Sequence, residues 1–375
     1  MDFSFTEEQE AVRELAAQVF AGHATTERVK QVEASETRVD RELWRALADA
    51  GLLAIALPEE HGGSGLGLIE LCLLLEEQGR RVAPVPLWPT VVLGALPLAE
   101  LGTPEQQRRW LPGVASGDVI LTAALAEPGV NDALRPQTTA TRDGDGWRLD
   151  GAKPSVPAGH VADRVLVPAA TGDGELGVFL VDPAGPGVER TVGATTDRSK
   201  VAHLTFSGAV AERLGGTEDV AGRRATAWML DRALVGLCAL QVGVAEGALR
   251  MAADYTSERQ QFGRPLSTFQ GVALKAADAY VDTEAMRVTL WQAAWRLTAG
   301  LDATREVMVA KWWASDGGQR VVHITQHLHG GMGADVDYPV HRYFLWGKQI
   351  EDTLGGASAQ LARLGQALAE ATASA

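Results

Sequence analysis

Cysteine is scarce in this sequence: the 375 residues include only two, Cys72 and Cys238. Two cysteines cannot form a disulfide framework or a cysteine-rich metal site, and both lie inside apolar patterns of helical spacing. We therefore expect a buried free thiol at each position.

Basic residues are also in the minority, because 34 Lys and Arg stand against 48 Asp and Glu and give a formal net charge of −14. Such an acidic balance argues against nucleic acid as a partner, since phosphate neutralisation needs clustered Lys and Arg. The N-terminus lacks a basic segment followed by an apolar run, so no signal peptide is predicted. No stretch reaches the ~18 uninterrupted apolar residues of a membrane span. The default expectation is a cytoplasmic protein without a membrane partner.

What is present is an ordinary globular composition, with 46% hydrophobic and 22% charged residues. The length suits two or three packed subdomains. Apolar residues recur at helical spacing as far as about Asp118, and Thr6 with Gln9 and Thr103 with Pro104 mark two helix starts. The first third of the chain is therefore predicted to be helical.

Two changes of period divide the rest of the chain. Up to about Gly215, short β-branched runs separated by Gly, Asp and Pro predict a compact antiparallel β domain. Helical spacing then returns in long segments that predict an antiparallel four-helix bundle; they span about 223–258, 267–299, 303–329 and 341–373. The predicted fold class is α+β, with an N-terminal α-helical domain (1–118), a middle antiparallel β domain (119–218) and a C-terminal four-helix bundle (219–375).

A turn-forming segment follows the first bundle segment and reads Arg259-Gln-Gln-Phe-Gly-Arg-Pro-Leu-Ser-Thr-Phe-Gln270. A guanidinium fork near a helix end is well shaped for phosphate oxygens, although an Arg in the last helical turn is also favoured by the helix dipole alone. Phe262 and Phe269 flank the turn, and Gln270 offers an amide that can pair with a nucleotide. The segment is a candidate nucleotide-binding turn.

A second candidate segment lies between the last two bundle segments and reads His327-Leu-His-Gly-Gly-Met-Gly333. Its glycines let the backbone approach a phosphate and present N–H donors. His323, His327 and His329 fall at i, i+4 and i+6 without a nearby carboxylate, so no metal site is expected.

Together with Tyr338-Pro-Val340, these blocks resemble the flavin-cradling half of the acyl-CoA dehydrogenase family. The similarity covers nearly the whole chain and includes Phe5-Thr-Glu-Glu-Gln9, Leu57-Pro-Glu-Glu-His-Gly-Gly63, Gly102-Thr-Pro-Glu-Gln-Gln107 and Leu111-Pro-Gly-Val-Ala-Ser-Gly117. The resemblance implies the acyl-CoA dehydrogenase fold and FAD as cofactor. It further implies that the residues reaching across a subunit interface to the pyrophosphate and ADP portion of the flavin are Arg259, Phe262, Gln270, Gly330 and Gly331, with His327 where the family usually has Gln.

The residues that would perform the redox chemistry depart from the family. An α,β-dehydrogenation needs a carboxylate that takes the proton from the carbon next to the thioester. By resemblance, the two positions that carry this base in the family are Leu354 and Ala233, neither of which can accept a proton. No catalytic residue is predicted, with Glu351 as a fallback if the register is shifted.

The flavin-ring contacts depart as well. In the segment Leu125-Ala-Glu-Pro-Gly-Val-Asn-Asp132, Ala126 and Asp132 stand where the family has a ring-contacting hydroxyl and a substrate-contacting Ser. In the segment Lys153-Pro-Ser-Val-Pro-Ala-Gly159, Ser155 and Pro157 replace the family's stacking Trp and its Thr. The nucleotide-binding elements are therefore kept, and the ring contacts and the base are not.

The second half of the chain most resembles the non-catalytic subunits of actinobacterial heterotetrameric (α2β2) acyl-CoA dehydrogenases of steroid side-chain β-oxidation. This implies a homologous catalytic subunit as partner, an acyl-CoA thioester as substrate of the complex, and an electron-transfer flavoprotein or similar acceptor. Two alternatives stay open. One is a self-sufficient homomer with a base relocated to Glu351, Asp352 or Asp231, and the other is a flavin-free scaffold subunit.

Overall fold

The computed structural model describes residues 4–129, 132–144, 146–172, 174–216 and 222–373. The chain divides into two compact units. The helical unit comprises residues 1–30, 68–83 and 234–375, and the mixed unit comprises residues 31–67 and 84–233. The domain boundaries drawn from the sequence after residues 118 and 218 remain a proposal.

The order of elements is helical, then β, then helical, as predicted. The helices are α1 (Glu7–His23), α2 (Thr26–Glu33), α3 (Arg41–Asp49), α4 (Leu68–Arg81), a π-helical segment (Trp88–Ala95) that leads into α5 (Leu96–Leu101), α6 (Pro104–Ala115), α7 (Gly222–Glu258), α8 (Gln270–Thr298), α9 (Thr304–Leu328), α10 (Val340–Asp352) and α11 (Ala357–Ala373). The strands are β1 (Leu121–Ala123), β2 (Thr139–Asp143), β3 (Gly146–Pro157), β4 (Arg164–Gly172), β5 (Glu175–Val181), β6 (Val188–Ala194), β7 (Lys200–Arg213), β8 (Gln260–Gln261) and β9 (Arg264–Pro265).

Local cap chemistry sets the two helix starts that the sequence predicted. The Thr6 hydroxyl accepts a hydrogen bond from the Gln9 N–H at 3.2 Å, and the Thr6 N–H donates to the Gln9 side chain at 3.0 Å. Thr103 and Gln106 repeat this reciprocal pair before α6. Each pair satisfies two N–H groups that a helix start otherwise leaves without partners.

Most strand pairings in the sheet of the mixed unit are antiparallel, as predicted, but two are parallel, which the sequence did not predict. The strand order of this sheet is β1-β4-β2-β3-β7-β5, with β6 on β7 and a further pairing of β4 with β5. Strands β1 and β2 run parallel to β4. Parallel neighbours cannot be joined by a tight turn, and a longer segment that includes the β2–β3 hairpin separates β1 from β4 in the chain.

The helical unit has one more C-terminal helix than predicted. The segment expected to run from 341 to 373 is broken into α10 and α11. Leu354 and Gly355, between them, have φ angles of 59° and 99°. Left-handed residues of this kind end a helix, so the described residues 222–373 contain five helices rather than four.

Helices α4 and α7 cross in direct backbone contact. A Cβ on Gly79 would lie 2.2 Å from the Leu240 carbonyl oxygen, and a Cβ on Gly243 would lie 1.9 Å from the Glu76 carbonyl oxygen. Both positions therefore admit only glycine. Helix α7 is also the one described helix long and apolar enough to span a membrane by length and composition, and 78% of its most apolar window is buried, as in core helices that pass the same test.

Both cysteines are buried free thiols, as predicted. Burial raises the pKa of the Cys238 thiol to about 12 and that of Cys72 well above its usual value. A thiol that does not ionise at neutral pH is a poor nucleophile, so both side chains serve as core packing.

Candidate functional site

The first candidate segment, residues 259–270, begins with a short β-hairpin made by β8 and β9. Phe262 and Gly263, at its tip, have φ angles of 55° and 79°. Positive φ at both central residues is the signature of a type I′ turn, in which Asn-Gly is the preferred pair. Positive φ is strained for a phenylalanine. The Phe262 side chain is also 91% exposed. The exposed Phe262 ring therefore projects from a type of turn that disfavours phenylalanine at this position.

Two backbone hydrogen bonds close the base of this hairpin. The Arg259 N–H donates to the Tyr255 carbonyl at 2.9 Å, and the Leu266 N–H donates to the Arg259 carbonyl at 2.9 Å. The Arg264 guanidinium lies 4.0 Å from the centre of the Phe269 ring. Arg259 itself lies just beyond the last residue of α7 with an exposed side chain. Its guanidinium is accessible to a ligand.

Helix α8 starts without a side-chain cap. Its N-cap residue is Phe269, which has no oxygen or nitrogen on its side chain, and its first residue is the exposed Gln270. The first N–H groups of a helix lack partners within the helix and carry its positive end. An uncapped helix start next to an accessible Arg is chemically suited to a phosphate group.

The second candidate segment follows α9, where His329 is the C-cap and Gly330–Ala334 form a 3₁₀ turn. Gly330 has a φ angle of 59°, a conformation that favours glycine. At Gly331 the φ angle is not positive, and no atom of the described chain lies within 4 Å of where a Cβ would be. No contact among the described residues requires glycine at position 331. A ligand that packs against the backbone at this position would require it. The backbone at Gly331 is therefore open to a ligand, and the exposed His327 precedes Gly330 by three residues in the chain.

Three aromatic rings connect the two candidate segments. The His329 ring stacks on Tyr255, with centres 4.7 Å apart and planes 25° apart, and its centre lies 5.2 Å from that of Tyr338. His329 Nδ1 lies 2.7 Å from the Thr325 carbonyl, which can only accept, so this nitrogen carries the proton. Burial lowers the pKa of His329, and the ring is neutral at neutral pH.

The histidines near this turn do not converge. His323 packs edge-on against Phe344, with ring centres 4.8 Å apart, while His329 is engaged with the Thr325 carbonyl. Within the described ranges, no group of three or more His, Cys, Asp or Glu side chains is placed to hold a metal ion.

The first base position, Leu354, lies in the break between α10 and α11. The Gln360 side-chain amide donates to the carbonyls of Leu354 and Gly355 at 3.3 and 3.0 Å and holds the turn. The fallback residue, Glu351, accepts a hydrogen bond from the Lys348 ammonium at 2.6 Å, and its side chain is only 15% exposed. The carboxylate of this fallback residue is therefore engaged in an ion pair.

The second base position, Ala233, is wholly buried in α7. Its carbonyl accepts a hydrogen bond from the Trp88 indole N–H at 3.0 Å. A methyl group in a buried site leaves no room for a carboxylate without rearrangement of its neighbours.

The two segments that would face a flavin ring are joined by a buried ion pair. Lys153 Nζ donates to Glu127 Oε1, with side chains 1% and 0% exposed. Burial lowers the pKa of Lys153, although the adjacent carboxylate acts in the opposite direction. This pair thus holds the two segments against each other. Val130 and Asn131, in the first segment, lie outside the described residues.

The second of these segments follows an irregular course through β3. The register with β7 shifts between Lys153 and Val156, and Ser155 has a φ angle of 52°. The Ser155 N–H donates to His203 Nδ1 at 3.2 Å, and the Pro157 carbonyl accepts from the Thr122 hydroxyl at 2.7 Å. Ser155 is exposed but offers no ring for stacking, and Pro157 has neither a hydroxyl nor an N–H.

Sequence reasoning missed the connection between the two candidate segments. It placed no weight on Tyr255, and it considered His329 only as a metal ligand or as part of a glycine turn. A signal was available for Tyr255, because it lies four residues, about one helical turn, before Arg259.

Comparison with known proteins identifies the family of the chain. Residues 6–118 match the model of the acyl-CoA dehydrogenase N-terminal domain, and residues 221–368 match that of the C-terminal domain. The chain is 43% identical to acyl-CoA dehydrogenase FadE27 of Mycobacterium tuberculosis (strain ATCC 25618 / H37Rv), with 99% of each chain covered.

Solved structures show the same similarity over the full length. A chain of a variant of the Tcur3481-Tcur3483 steroid ACAD superposes with a TM-score of 0.93 at 54% identity, covering 98% of this chain and 99% of that one. A chain of the ChsE4-ChsE5 complex from Mycobacterium tuberculosis superposes with a TM-score of 0.92 at 42% identity, covering 99% of both. The chain has the acyl-CoA dehydrogenase fold and belongs to the acyl-CoA dehydrogenase family.

Proposed function

We propose that this chain is the companion subunit of an FAD-dependent acyl-CoA dehydrogenase. In this assembly it holds the ADP portion of an FAD whose ring lies on a homologous catalytic subunit. One observation carries the proposal: the groups suited to a nucleotide are exposed at helix ends, while Leu354 and Ala233 occupy the base positions. A random loss of function would affect the nucleotide-binding groups and the base positions alike, whereas here only the base positions have lost their chemistry.

We define the nucleotide clamp as Arg259, Phe262, Gln270, His327, Gly330 and Gly331, whose members differ in chemistry. The Arg259 fork and the uncapped start of α8 suit the pyrophosphate. The Gln270 amide and the His327 ring supply hydrogen bonds for ribose or adenine. The bare backbone at Gly330 and Gly331 admits close approach. Bound FAD supplies the hydride acceptor of the reaction.

Helix α8 carries a second surface suited to a partner subunit. Leu274, Val281, Val288 and Trp295 recur every seventh residue, and each is more than half exposed. Such a heptad seam suits packing against another helix, and exposed apolar stripes mark interaction sites. The seam starts one turn after Gln270, so the same helix can dock a subunit and present the clamp to it.

The relatives support the remaining parts of the proposal. One solved relative is described as a steroid ACAD and another as a two-protein complex. We extend the proposal to an acyl-CoA thioester of steroid or lipid β-oxidation as the substrate of the assembly. An electron-transfer flavoprotein or a similar protein is the proposed acceptor.

Replacing Arg259 with Ala tests the clamp directly. In the assembled complex, Arg259→Ala should raise the FAD dissociation constant roughly ten- to hundredfold, because a charge-assisted contact with phosphate is lost. The measurement is flavin fluorescence during titration of the deflavinated complex with FAD. Arg250→Ala is the matched control, since Arg250 is on α7, the helix that Arg259 follows, with an 81% exposed side chain paired to Asp254 at 3.4 Å.

The alternatives give different results in the same experiment. A flavin-free scaffold predicts that the parent complex and the Arg259→Ala complex load FAD equally, and that result would refute the clamp. A self-sufficient homomer predicts that the chain purified alone carries stoichiometric FAD and turns over acyl-CoA.

Phe262→Asn should separate stability from ligand binding. Asn-Gly is the preferred type I′ pair, so the variant should keep or raise the midpoint of thermal unfolding, by the equivalent of up to about 1 kcal/mol. The same change removes the exposed ring and should weaken FAD binding. Phe262→Leu is the control, because it keeps an apolar side chain in the strained conformation. Lower thermal stability of Phe262→Asn with unchanged FAD affinity would contradict the proposed role.

A further inference from the structure

Three helix ends of the helical unit meet at one cluster of aromatic rings. Tyr255 is in the last turn of α7, His329 caps the C-terminus of α9, and Tyr338 lies two residues before the start of α10. The Tyr255 and Tyr338 ring centres lie 6.2 Å apart, and each ring also contacts His329. We call these three residues the aromatic stack.

His329 is the central member, and two of its features act together. Its Nδ1–H donates to the Thr325 carbonyl at 2.7 Å, an oxygen that the end of a helix leaves without its usual N–H partner. Its ring face packs on Tyr255. A phenylalanine would stack without capping, and a serine or asparagine would cap without stacking. The second nitrogen, Nε2, is buried and has no hydrogen-bond partner among the described residues. Among these residues, His329 therefore acts through its ring face and its Nδ1–H.

The stack reaches both halves of the nucleotide clamp through the backbone. The Tyr255 carbonyl accepts the N–H of Arg259, which begins the hairpin. On the other side, Gly330 follows His329 directly and Gly331 comes next. The Tyr255–His329 contact therefore lies on a continuous path between the Arg259 hairpin and the glycine turn.

We propose that His329 is the positioning residue of the nucleotide clamp: its stacked ring, with Tyr255 and Tyr338, sets the spacing between the Arg259 hairpin and the Gly330–Gly331 turn. The inference rests on the proposed function, because it assumes that both segments grip the same FAD. His329 needs no contact with the cofactor in this role. Preorganised spacing raises affinity because the ligand does not have to order the two segments on binding.

The test measures FAD affinity and FAD release in the assembled complex. His329→Leu removes both ring and cap and should raise the FAD dissociation constant and release rate about tenfold or more. His329→Phe keeps the ring and should recover most of this loss. Val321→Ala, a buried truncation on the same helix, is the control for general destabilisation and should lower the thermal midpoint while leaving FAD affinity unchanged.

A double-variant cycle decides whether the ring contact is responsible. Tyr255→Leu and His329→Leu should each weaken FAD binding, and the double variant should lose little more than the worse single one, because one contact is shared. Additive losses, or a lower thermal midpoint at unchanged FAD affinity, would overturn the inference while Arg259→Ala still impairs binding. If Arg259→Ala has no effect on FAD binding, the proposed function fails instead.

Discussion

The isolated chain is expected to oxidise acyl-CoA at no more than about a thousandth of the rate of the assembled complex, since a positioned general base contributes roughly a hundred- to ten-thousandfold. Leu354 and Ala233 offer no group that can take the α-proton. The measurement is steady-state reduction of an artificial electron acceptor by the chain alone, by the catalytic partner alone and by the two together. Turnover by the chain alone at the rate of the complex would contradict the companion role.

Substitution of the nearby acids tests the same prediction inside the complex. Glu351→Gln should leave kcat within about twofold, because this carboxylate is paired with Lys348 and is not the base. Asp352→Asn and Asp231→Asn should behave alike. The matched positive control is replacement by Gln of the catalytic partner's own base, which should lower kcat by about a hundredfold or more. A comparable loss from any of the three changes in this chain would favour the self-sufficient homomer.

Much of the fold could be predicted because its signals are local. The reciprocal hydrogen bonds of Thr6 with Gln9 involve residues three apart, and so they are readable from sequence alone. The change from helical to strand spacing near Asp118 is likewise a property of short windows. The cysteines could be predicted to be buried because their neighbours are apolar at helical spacing.

The errors share a cause: they depend on contacts between distant segments or on single backbone angles. Nothing local to β1 specifies that it pairs in parallel with β4, which comes three strands later in the chain. The break at Leu354 places a leucine at positive φ, which its own preferences disfavour, although the Gly355-Gly356 pair after it was a usable signal.

For the candidate site, sequence and resemblance identified which residues to examine but not how they are held. The strained type I′ tip at Phe262, the stack on His329 and the buried partner of Lys153 all depend on pairings that a one-dimensional pattern does not contain.

Breaking the buried ion pair should strongly destabilise the mixed unit. Glu127→Leu alone leaves the Lys153 ammonium without its counter-ion in a site only 1% exposed, and Lys153→Met alone does the same to the carboxylate. Removing one partner of a buried pair costs about 3–5 kcal/mol. The unfolding midpoint in urea, followed for the assembled complex by circular dichroism, should fall for each single variant. Asp143→Asn, which breaks the exposed Asp143–Arg148 pair of the same sheet, is the matched control and should cost under about 1 kcal/mol.

The double variant distinguishes a requirement for charge from a requirement for packing. If the pair serves only to neutralise two buried charges, Glu127→Leu with Lys153→Met should recover most of the lost stability, to within about 1–2 kcal/mol of the parent chain. We expect this recovery, because the Lys153 and Glu127 side chains are only 1% and 0% exposed and neutralise each other within the buried site. A double variant as unstable as the single ones would show that the ion pair fixes the course of both segments. The frame around Ala126 and Ser155 would then have been kept for a ligand or a partner surface rather than for the core.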